Sequence, residues 1–384
     1  MDDRWNALVP YPWTAVKAMP SGPLAGMKLA VKDIFDVAGY PTGAGNPIIL
    51  AKSGTKTRTS PLVRLLLDAG ASFVGKSNTD ELAYSLIGDN HHFGMPINPR
   101  RSERISGGSS SGSAVAVAAG LADIGLGTDT SGSVRLPAAI NGIIGWRPSH
   151  GYLDMQAVRP LAPSFDVAGF LTTRLETMAV IMKVVGFPVI APQPSAVIVA
   201  EDILDTIEPA ISEQVVRYAV KTGLPLRRLR KLTSFDLDDL ASCFVTILQA
   251  EAWESNKELF ERYAMTIAPG VADRLRLGAA LRFSEIANAR KVRNAFQREM
   301  AEILTGTALL ALPTLATDAP MRDSSITQLN SFRSACLRLL CLAGLGGFPQ
   351  LSFPVSSGST EFSISLLGGS GTDRHLMATA LTLD

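Results

Sequence analysis

Short apolar runs alternate along the chain with longer segments whose apolar residues recur every three or four positions. The short runs predict buried strands, whereas the spacing of three and four predicts amphipathic helices. Strands are predicted at Met27–Val31, Leu309–Leu312, Gln350–Phe353 and Phe362–Leu366, and helices at Leu329–Leu345 and Asp373–Leu381. Because strands and helices alternate, the pattern predicts an α/β fold.

The middle of the chain has a different pattern. Three long segments at helical spacing carry many Glu, Lys and Arg residues, namely Glu208–Gly223, Leu237–Tyr263 and Phe283–Leu304. Charges at this density are typical of a solvated helix face. We therefore predict a helix-rich region at about 200–305.

Two loops rich in serine and glycine surround a segment of small residues. Gly107–Gly112 precedes a helix predicted at Ser113–Leu121, and a second loop, Thr128–Ser133, follows shortly after it. Hydroxyls and free N–H groups in such loops stabilise negative charge. Three interpretations fit: a phosphate cradle, a nucleophilic serine with an oxyanion hole, or two tight turns that pack the helix. The cradle is disfavoured because Ser113 stands where a phosphate loop has lysine.

A nucleophilic serine needs a base. The chain has few histidines and no Gly-x-Ser-x-Gly elbow, so a histidine triad is disfavoured, with His91 and His92 left as alternatives. Lysine is the other base used with serine, provided that its pKa is brought down from about 10.4 by burial. Lys32 follows an apolar run and is the candidate base. The competing interpretation is a surface lysine paired with Asp33.

Together these segments resemble the amidase signature family of Ser-Ser-Lys hydrolases. Val31–Val37 is similar to the family's segment around its catalytic lysine, Gly107–Ser110 to the loop of its bridging serine, and Gly127–Ser133 to its nucleophile loop. The step of 24 residues from Ser109 to Ser133 is also the family's spacing. The resemblance implies a single-domain amidase-signature fold over residues 1–384, with a central mixed β-sheet covered on both faces by α-helices.

The resemblance implies a role for each matching residue. Ser133 would be the nucleophile, Ser109 the serine that relays its proton, and Lys32 the neutral base. Because these three side chains must meet, no domain boundary is expected among them. The backbone N–H groups implied for the oxyanion hole belong to Thr130, Ser131, Gly132 and Ser133, and the residues implied to support this loop are Asp129 and Arg135.

One position departs from the family pattern. Ser131 stands where the family usually has glycine. If that position requires a positive φ, serine is expected to add strain of about 1–3 kcal/mol and to misdirect the oxyanion hole. The expectation for Ser131 is therefore weaker than that for Gly132.

The implied reaction is hydrolysis of a small primary carboxamide to a carboxylic acid and ammonia through a serine acyl-enzyme. The nearest likeness within the family is to small, plant-type indole-3-acetamide hydrolases, carried by segments such as Gly145–Gly151, Ser164–Asp166 and Ser331–Ser334. An aryl- or indole-acetamide is therefore the candidate substrate. Two alternatives stay open: the glutaminase subunit of a tRNA-dependent amidotransferase complex, and an esterase-dominant or non-catalytic relative.

Composition gives expectations about binding partners, cellular location and cofactors. The formal net charge is +1, which gives no indication of nucleic-acid binding. Neither a signal peptide at Met1–Arg4 nor a run of about 18 apolar residues is found, so no membrane contact and a cytoplasmic location are expected. The three cysteines, Cys243, Cys336 and Cys341, lack metal-binding spacing and are expected to be core thiols, with a cysteine nucleophile as the alternative. No cofactor or metal is expected, and a homodimer is left open.

Overall fold

The computed structural model describes residues 3–187, 192–357 and 360–383, and these residues form an α/β fold. The strands are β1 (Lys28–Lys32), β2 (Ser72–Ser77), β3 (Ile124–Asp129), β4 (Ile144–Arg147), β5 (Val167–Thr172), β6 (Val197–Ala200), β7 (Leu226–Leu229), β8 (Leu309–Pro313), β9 (Gln350–Ser357) and β10 (Thr360–Gly368).

The helices vary from one turn to more than seven turns in length. They are α1 (Pro47–Ser53), α2 (Pro61–Asp68), α3 (Ser111–Ala118), α4 (Arg135–Ile140), α5 (Leu175–Val184), α6 (Glu201–Leu204), α7 (Pro209–Lys221), α8 (Leu237–Tyr263), α9 (Pro269–Ala279), α10 (Phe283–Ile303), α11 (Ile326–Gly346) and α12 (Asp373–Ala380). No helix in the described ranges is both long enough and apolar enough to cross a membrane.

Over the described residues the strands join into one mixed sheet, in the order β2-β1-β3-β5-β4-β9-β10-β8-β6-β7. At one end β1 runs parallel to β2 and β3, and at the other end β6 runs parallel to β7 and β8. The central pairs, from β3–β5 to β10–β8, are antiparallel. The predicted mixed sheet is therefore confirmed.

The elements predicted from the sequence pattern are present with small shifts of their ends. The run predicted at Met27–Val31 forms β1, which extends to Lys32, and the charged segment Leu237–Tyr263 forms α8 with the predicted bounds. Helix α11 begins earlier than predicted because Ser325 caps it, accepting a hydrogen bond from the Gln328 N–H. The region from 200 to 305 is rich in helices, as the charge pattern indicates.

Helix α3 lies close against the sheet because its side chains are small. An added Cβ at Gly112 would lie 2.2 Å from the Ala7 carbonyl oxygen and 2.3 Å from the Asn78 nitrogen. On the strand below, an added Cβ at Gly125 would lie 2.8 Å from the Ser113 carbonyl oxygen. Contacts at this range leave no room for a larger residue. The small-residue segment of the sequence therefore brings the start of α3 directly onto β1 and β3.

This packing determines where the site forms. Strands β1 and β3 are parallel neighbours, so their carboxyl ends lie at the same edge of the sheet. Lys32 ends β1 and Asp129 ends β3. The serine-rich loop that precedes α3 reaches the same edge.

Candidate active site

The Lys32 side chain is fully buried and points into the two serine-rich loops. Its Nζ lies within hydrogen-bond distance of three hydroxyls, at 2.8 Å from Ser109 Oγ, 3.1 Å from Ser110 Oγ and 3.0 Å from Thr128 Oγ1. The structure therefore brings together the predicted base and the predicted relay serine, which are 77 positions apart in the sequence.

Asp33 has other partners. Its carboxylate lies 2.8 Å from the Lys76 ammonium, and it accepts a hydrogen bond of 2.7 Å from the Tyr11 hydroxyl. Both members of the Asp33–Lys76 pair are buried. The competing interpretation, in which Lys32 sits on the surface and pairs with Asp33, is wrong because Lys76 neutralises this carboxylate.

Burial lowers the pKa of Lys32 to about 7, while the negative charges of Asp80, Asp166 and Asp129 act in the opposite direction. An amine in water with a pKa of about 10.4 would be almost fully protonated at neutral pH. In this site a large fraction of Lys32 is the free amine, which is the form that accepts a proton.

Ser110 links the two loops. Its Oγ donates to the Thr128 carbonyl oxygen and accepts from the Thr128 N–H, and its own N–H donates to the Ser133 carbonyl oxygen at 3.1 Å. Ser133, the predicted nucleophile, therefore lies beside the Lys32–Ser109 pair through its backbone. Within the described residues the Ser133 hydroxyl makes no hydrogen bond of its own, so it keeps its proton and lone pairs available.

The nucleophile loop bends at Gly132, not at Ser131. Gly132 has a φ of 118°, and an added Cβ there would lie 2.6 Å from Leu340 Cδ1. Ser131 is not among the described residues with a positive φ. The strain expected at Ser131 is therefore absent, because the conformation that requires glycine falls on the next residue.

The four backbone N–H groups of this loop differ in whether they have a hydrogen-bond acceptor. Gly132 N–H donates to Asp129 Oδ1 at 3.0 Å, so in this structure it is engaged by a carboxylate. The N–H groups of Thr130, Ser131 and Ser133 have no acceptor among the described residues. Of the four predicted oxyanion donors, Gly132 therefore has its N–H bonded to Asp129 in this structure, and the anion-binding role of Thr130, Ser131 and Ser133 stays a prediction.

Asp129 forms ion pairs with two arginines beside the loop. It lies 2.7 Å from Arg135 Nη2 and 3.1 Å from Arg147 Nη1, and all three side chains are fully buried. Burial acts to raise the pKa of Asp129, but the Arg135 and Arg147 charges and their hydrogen bonds hold it well below its usual range. The predicted Asp129–Arg135 pair is present, and it fixes the loop in one conformation.

Several residues of the site were not predicted individually. Thr128 and Ser110 contact Lys32, Arg147 joins Asp129, and Asp80 lies buried against Gly108. A usable signal existed for Arg147, since it ends a short apolar strand, as Lys32 does. No local signal distinguishes Asp80 from a surface acid.

His92, Cys243 and Cys341 are hydrogen-bonded to groups other than the predicted base. His92 Nε2 lies 2.9 Å from a Glu81 carboxylate oxygen. The three cysteines are buried, and burial raises the pKa of Cys243 to about 11 and that of Cys336 to about 12. Thiols of this kind are inert core residues, so the cysteine alternative loses its support.

The fold and the site together define an enzyme of the α/β class with a buried lysine and paired serine loops. The family model described as Amidase matches residues 14–231, and the chain belongs to this family; its amidase relatives and the matching amidase fold support a hydrolase that acts on amide bonds. Amidase 1 of Oryza sativa subsp. japonica is 36% identical over 92% of this chain and 89% of its own length.

Two further similarities differ in extent. A glutamyl-tRNA(Gln) amidotransferase subunit of Salinibacter ruber is 44% identical, but over 43% of this chain and 32% of its own length. A solved structure described as an amidase superposes with a TM-score of 0.84 at 29% identity, covering 96% of this chain and 85% of that one.

Proposed function

We propose that this amidase hydrolyses a small primary carboxamide to a carboxylic acid and ammonia, with Ser133 forming the acyl-enzyme. The observation that carries the proposal is the 2.8 Å hydrogen bond between Lys32 Nζ and Ser109 Oγ in a fully buried site. A buried lysine whose pKa is lowered to about 7 and that is hydrogen-bonded to a serine is the activating half of a Ser-Ser-Lys relay.

The relay balances its protons in two transfers. Ser109 gives its hydroxyl proton to Lys32 and takes the proton of Ser133, whose oxygen then attacks the amide carbon. The oxyanion that forms would be held by the free N–H groups of Thr130, Ser131 and Ser133. In the reverse direction Ser109 protonates the departing amine, and a water activated by the same pair hydrolyses the ester.

The acyl group we propose is an aryl- or indole-acetyl group. The support is the likeness of the chain to plant-type indole-3-acetamide hydrolases. The rings of Phe165 and Phe244, 4.4 Å apart, are fully buried and belong to the core behind the nucleophile loop, so they do not indicate the acyl group.

The alternatives have less support. The sequence similarity to the amidotransferase protein covers less than half of the chain, whereas the sequence similarity to Amidase 1 covers 92% of it. The alternative of an esterase-dominant or non-catalytic relative rested on strain at Ser131, which does not take a positive φ.

The test is ammonia release by the purified chain alone from indole-3-acetamide, phenylacetamide, benzamide, propionamide and glutamine. Ser133→Ala is the inactive variant, and Ser102→Ala, at a turn outside both serine-rich loops, is the matched control. We expect release from the arylacetamides that disappears in Ser133→Ala and persists in Ser102→Ala. A fully active Ser133→Ala protein would refute the mechanism, and turnover of glutamine alone would favour the amidotransferase alternative.

A further inference from the structure

The proposed relay places a positive charge on Lys32 inside the protein. When Lys32 accepts the proton of Ser109, a neutral amine becomes an ammonium in a position with no solvent exposure. A buried unpaired charge is costly, so a carboxylate close to Lys32 would stabilise every step in which the proton resides there. This inference rests on the proposed function.

Three buried aspartates act on the charge of Lys32: Asp80, Asp166 and Asp129. Asp129 is already neutralised by the two buried arginines described above. Asp166 accepts hydrogen bonds from the Thr130 hydroxyl at 2.6 Å and from the N–H groups of Leu161 and Ala162. Both of these carboxylates are therefore committed to holding loops.

Asp80 is different. It is fully buried, and its Oδ2 accepts a hydrogen bond of 3.0 Å from the Gly88 N–H, but its Oδ1 has no hydrogen-bond partner. Burial raises the pKa of this carboxyl, and the charge of Lys32 acts against that rise. Of the carboxylates that act on Lys32, Asp80 is the one with an unsatisfied oxygen in the described part of the chain.

Asp80 is also packed against the relay serine. An added Cβ at Gly108 would lie 2.4 Å from both of its carboxylate oxygens. The Asp80 N–H donates to the Ser109 carbonyl oxygen at 3.3 Å, and the Thr79 hydroxyl donates to the same oxygen at 2.9 Å. The backbone that carries the relay hydroxyl is therefore clamped by Asp80 and its neighbour.

We propose that Asp80 is a positioning residue of this site, which clamps the Ser109 loop and supplies the counter-charge for the ammonium that forms on Lys32. Other groups also act on the pair. Lys32 is also acted on by Asp129 and Asp166. Ser85 lowers the pKa of Asp80 and the exposed Asp89 raises it, and Asp80 in turn acts on Arg274.

The sign of the expected effect follows from the charges. Asp80 favours the protonated form of Lys32, so its removal lowers the pH below which Lys32 is protonated. The acid limb of the pH profile moves to lower pH. At the same time the ammonium formed in the reaction loses its partner, so the plateau rate falls.

The test measures sulfonylation of Ser133 by phenylmethanesulfonyl fluoride, a reaction in which the serine oxygen bonds to sulfur and fluoride leaves. Rates are followed by intact mass from pH 5 to 10 for the wild type, Asp80→Asn and the exposed control Asp205→Asn. Asp80→Asn keeps the shape of the side chain. We expect its acid limb to move down by about one pH unit and its plateau to fall about tenfold, with the control unchanged.

The outcomes separate the two proposals. A wild-type protein that is not labelled at Ser133 refutes the proposed function. Labelling of the wild type with an acid limb that Asp80→Asn leaves in place refutes the role of Asp80, even if its rate falls, because a packing defect alone would not move the limb. If Asp80→Asn does not fold, Asp80→Ser, which keeps an acceptor for the Gly88 N–H, is held to the same criterion.

Discussion

The bend of the nucleophile loop at Gly132 gives a prediction whose size follows from the structure. Gly132→Ala forces an L side chain into a φ of 118°, which costs about 1–3 kcal/mol. The new Cβ would also lie 2.6 Å from Leu340 Cδ1 and 3.1 Å from Leu340 Cβ, and overpacking of this kind costs about 1–3 kcal/mol more. We expect a free energy of unfolding lower by about 2–6 kcal/mol in total.

Ser131→Gly is the matched comparison at the adjacent position. Because Ser131 does not take a positive φ, glycine relieves no strain there and adds freedom to the unfolded chain. We expect its free energy of unfolding to fall by about 0.5–1 kcal/mol. The activity of Ser131→Gly should stay within a few-fold of the wild type, whereas Gly132→Ala should lose most turnover because the free N–H groups of the loop are displaced.

Urea unfolding followed by circular dichroism measures the stabilities, and ammonia release measures the activities. The result that would refute the reasoning is a Ser131→Gly protein that is both more stable and faster than the wild type. That outcome would mean that serine strains the loop and that the positive φ has been placed at the wrong residue.

Three further predictions concern the charges of the site. Lys32→Met should remove turnover while circular dichroism shows a folded protein, and substantial residual turnover would exclude Lys32 as the base. In the wild type, kcat/KM should rise with pH through about 7 as Lys32 loses its proton, and a profile that is flat between pH 5 and 9 would contradict this assignment. Arg147→Met, which removes one partner of buried Asp129, should cost about 3–5 kcal/mol in urea unfolding. The pKa of Asp129 is lower in the folded protein than in the unfolded chain, where it is about 4. The ionised Asp129 therefore stabilises the fold fully above about pH 4, and this stabilisation declines as the pH falls further. Below about pH 4 the free energy of unfolding should consequently fall less steeply with pH in Arg147→Met than in the wild type.

Much of the site could be predicted from local sequence because local features determine it. Lys32 follows an apolar run, so its burial at a strand end follows from the pattern. Ser109 and Ser133 were located by glycine-rich loops and a family spacing, and the structure places both loops at one edge of the sheet. The roles of these serines remain predictions that the experiments above test.

Other features depend on the tertiary structure. Asp80 is followed by Glu81 in a polar segment, and nothing local shows that one of the two acids contacts the Ser109 loop. The conformation of Ser131 could not be deduced either, because one backbone angle decides whether serine or its neighbour carries the positive φ. The partner of Asp33 is Lys76, on β2, and that choice is made by the pairing of strands.

The consecutive residues Lys32 and Asp33 have opposite surroundings. Lys32 contacts hydroxyl groups, whereas Asp33 contacts the Lys76 ammonium. A slip of β1 by one position in one direction would place the Asp33 carboxylate among the serines, and a slip in the other direction would place Lys32 against Lys76. Either slip would leave buried charges unpaired and would also remove the base of the proposed relay. Turnover therefore depends on the register of β1. A screen of β1 or β2 variants for activity would recover variants in which the strands pair in the correct register.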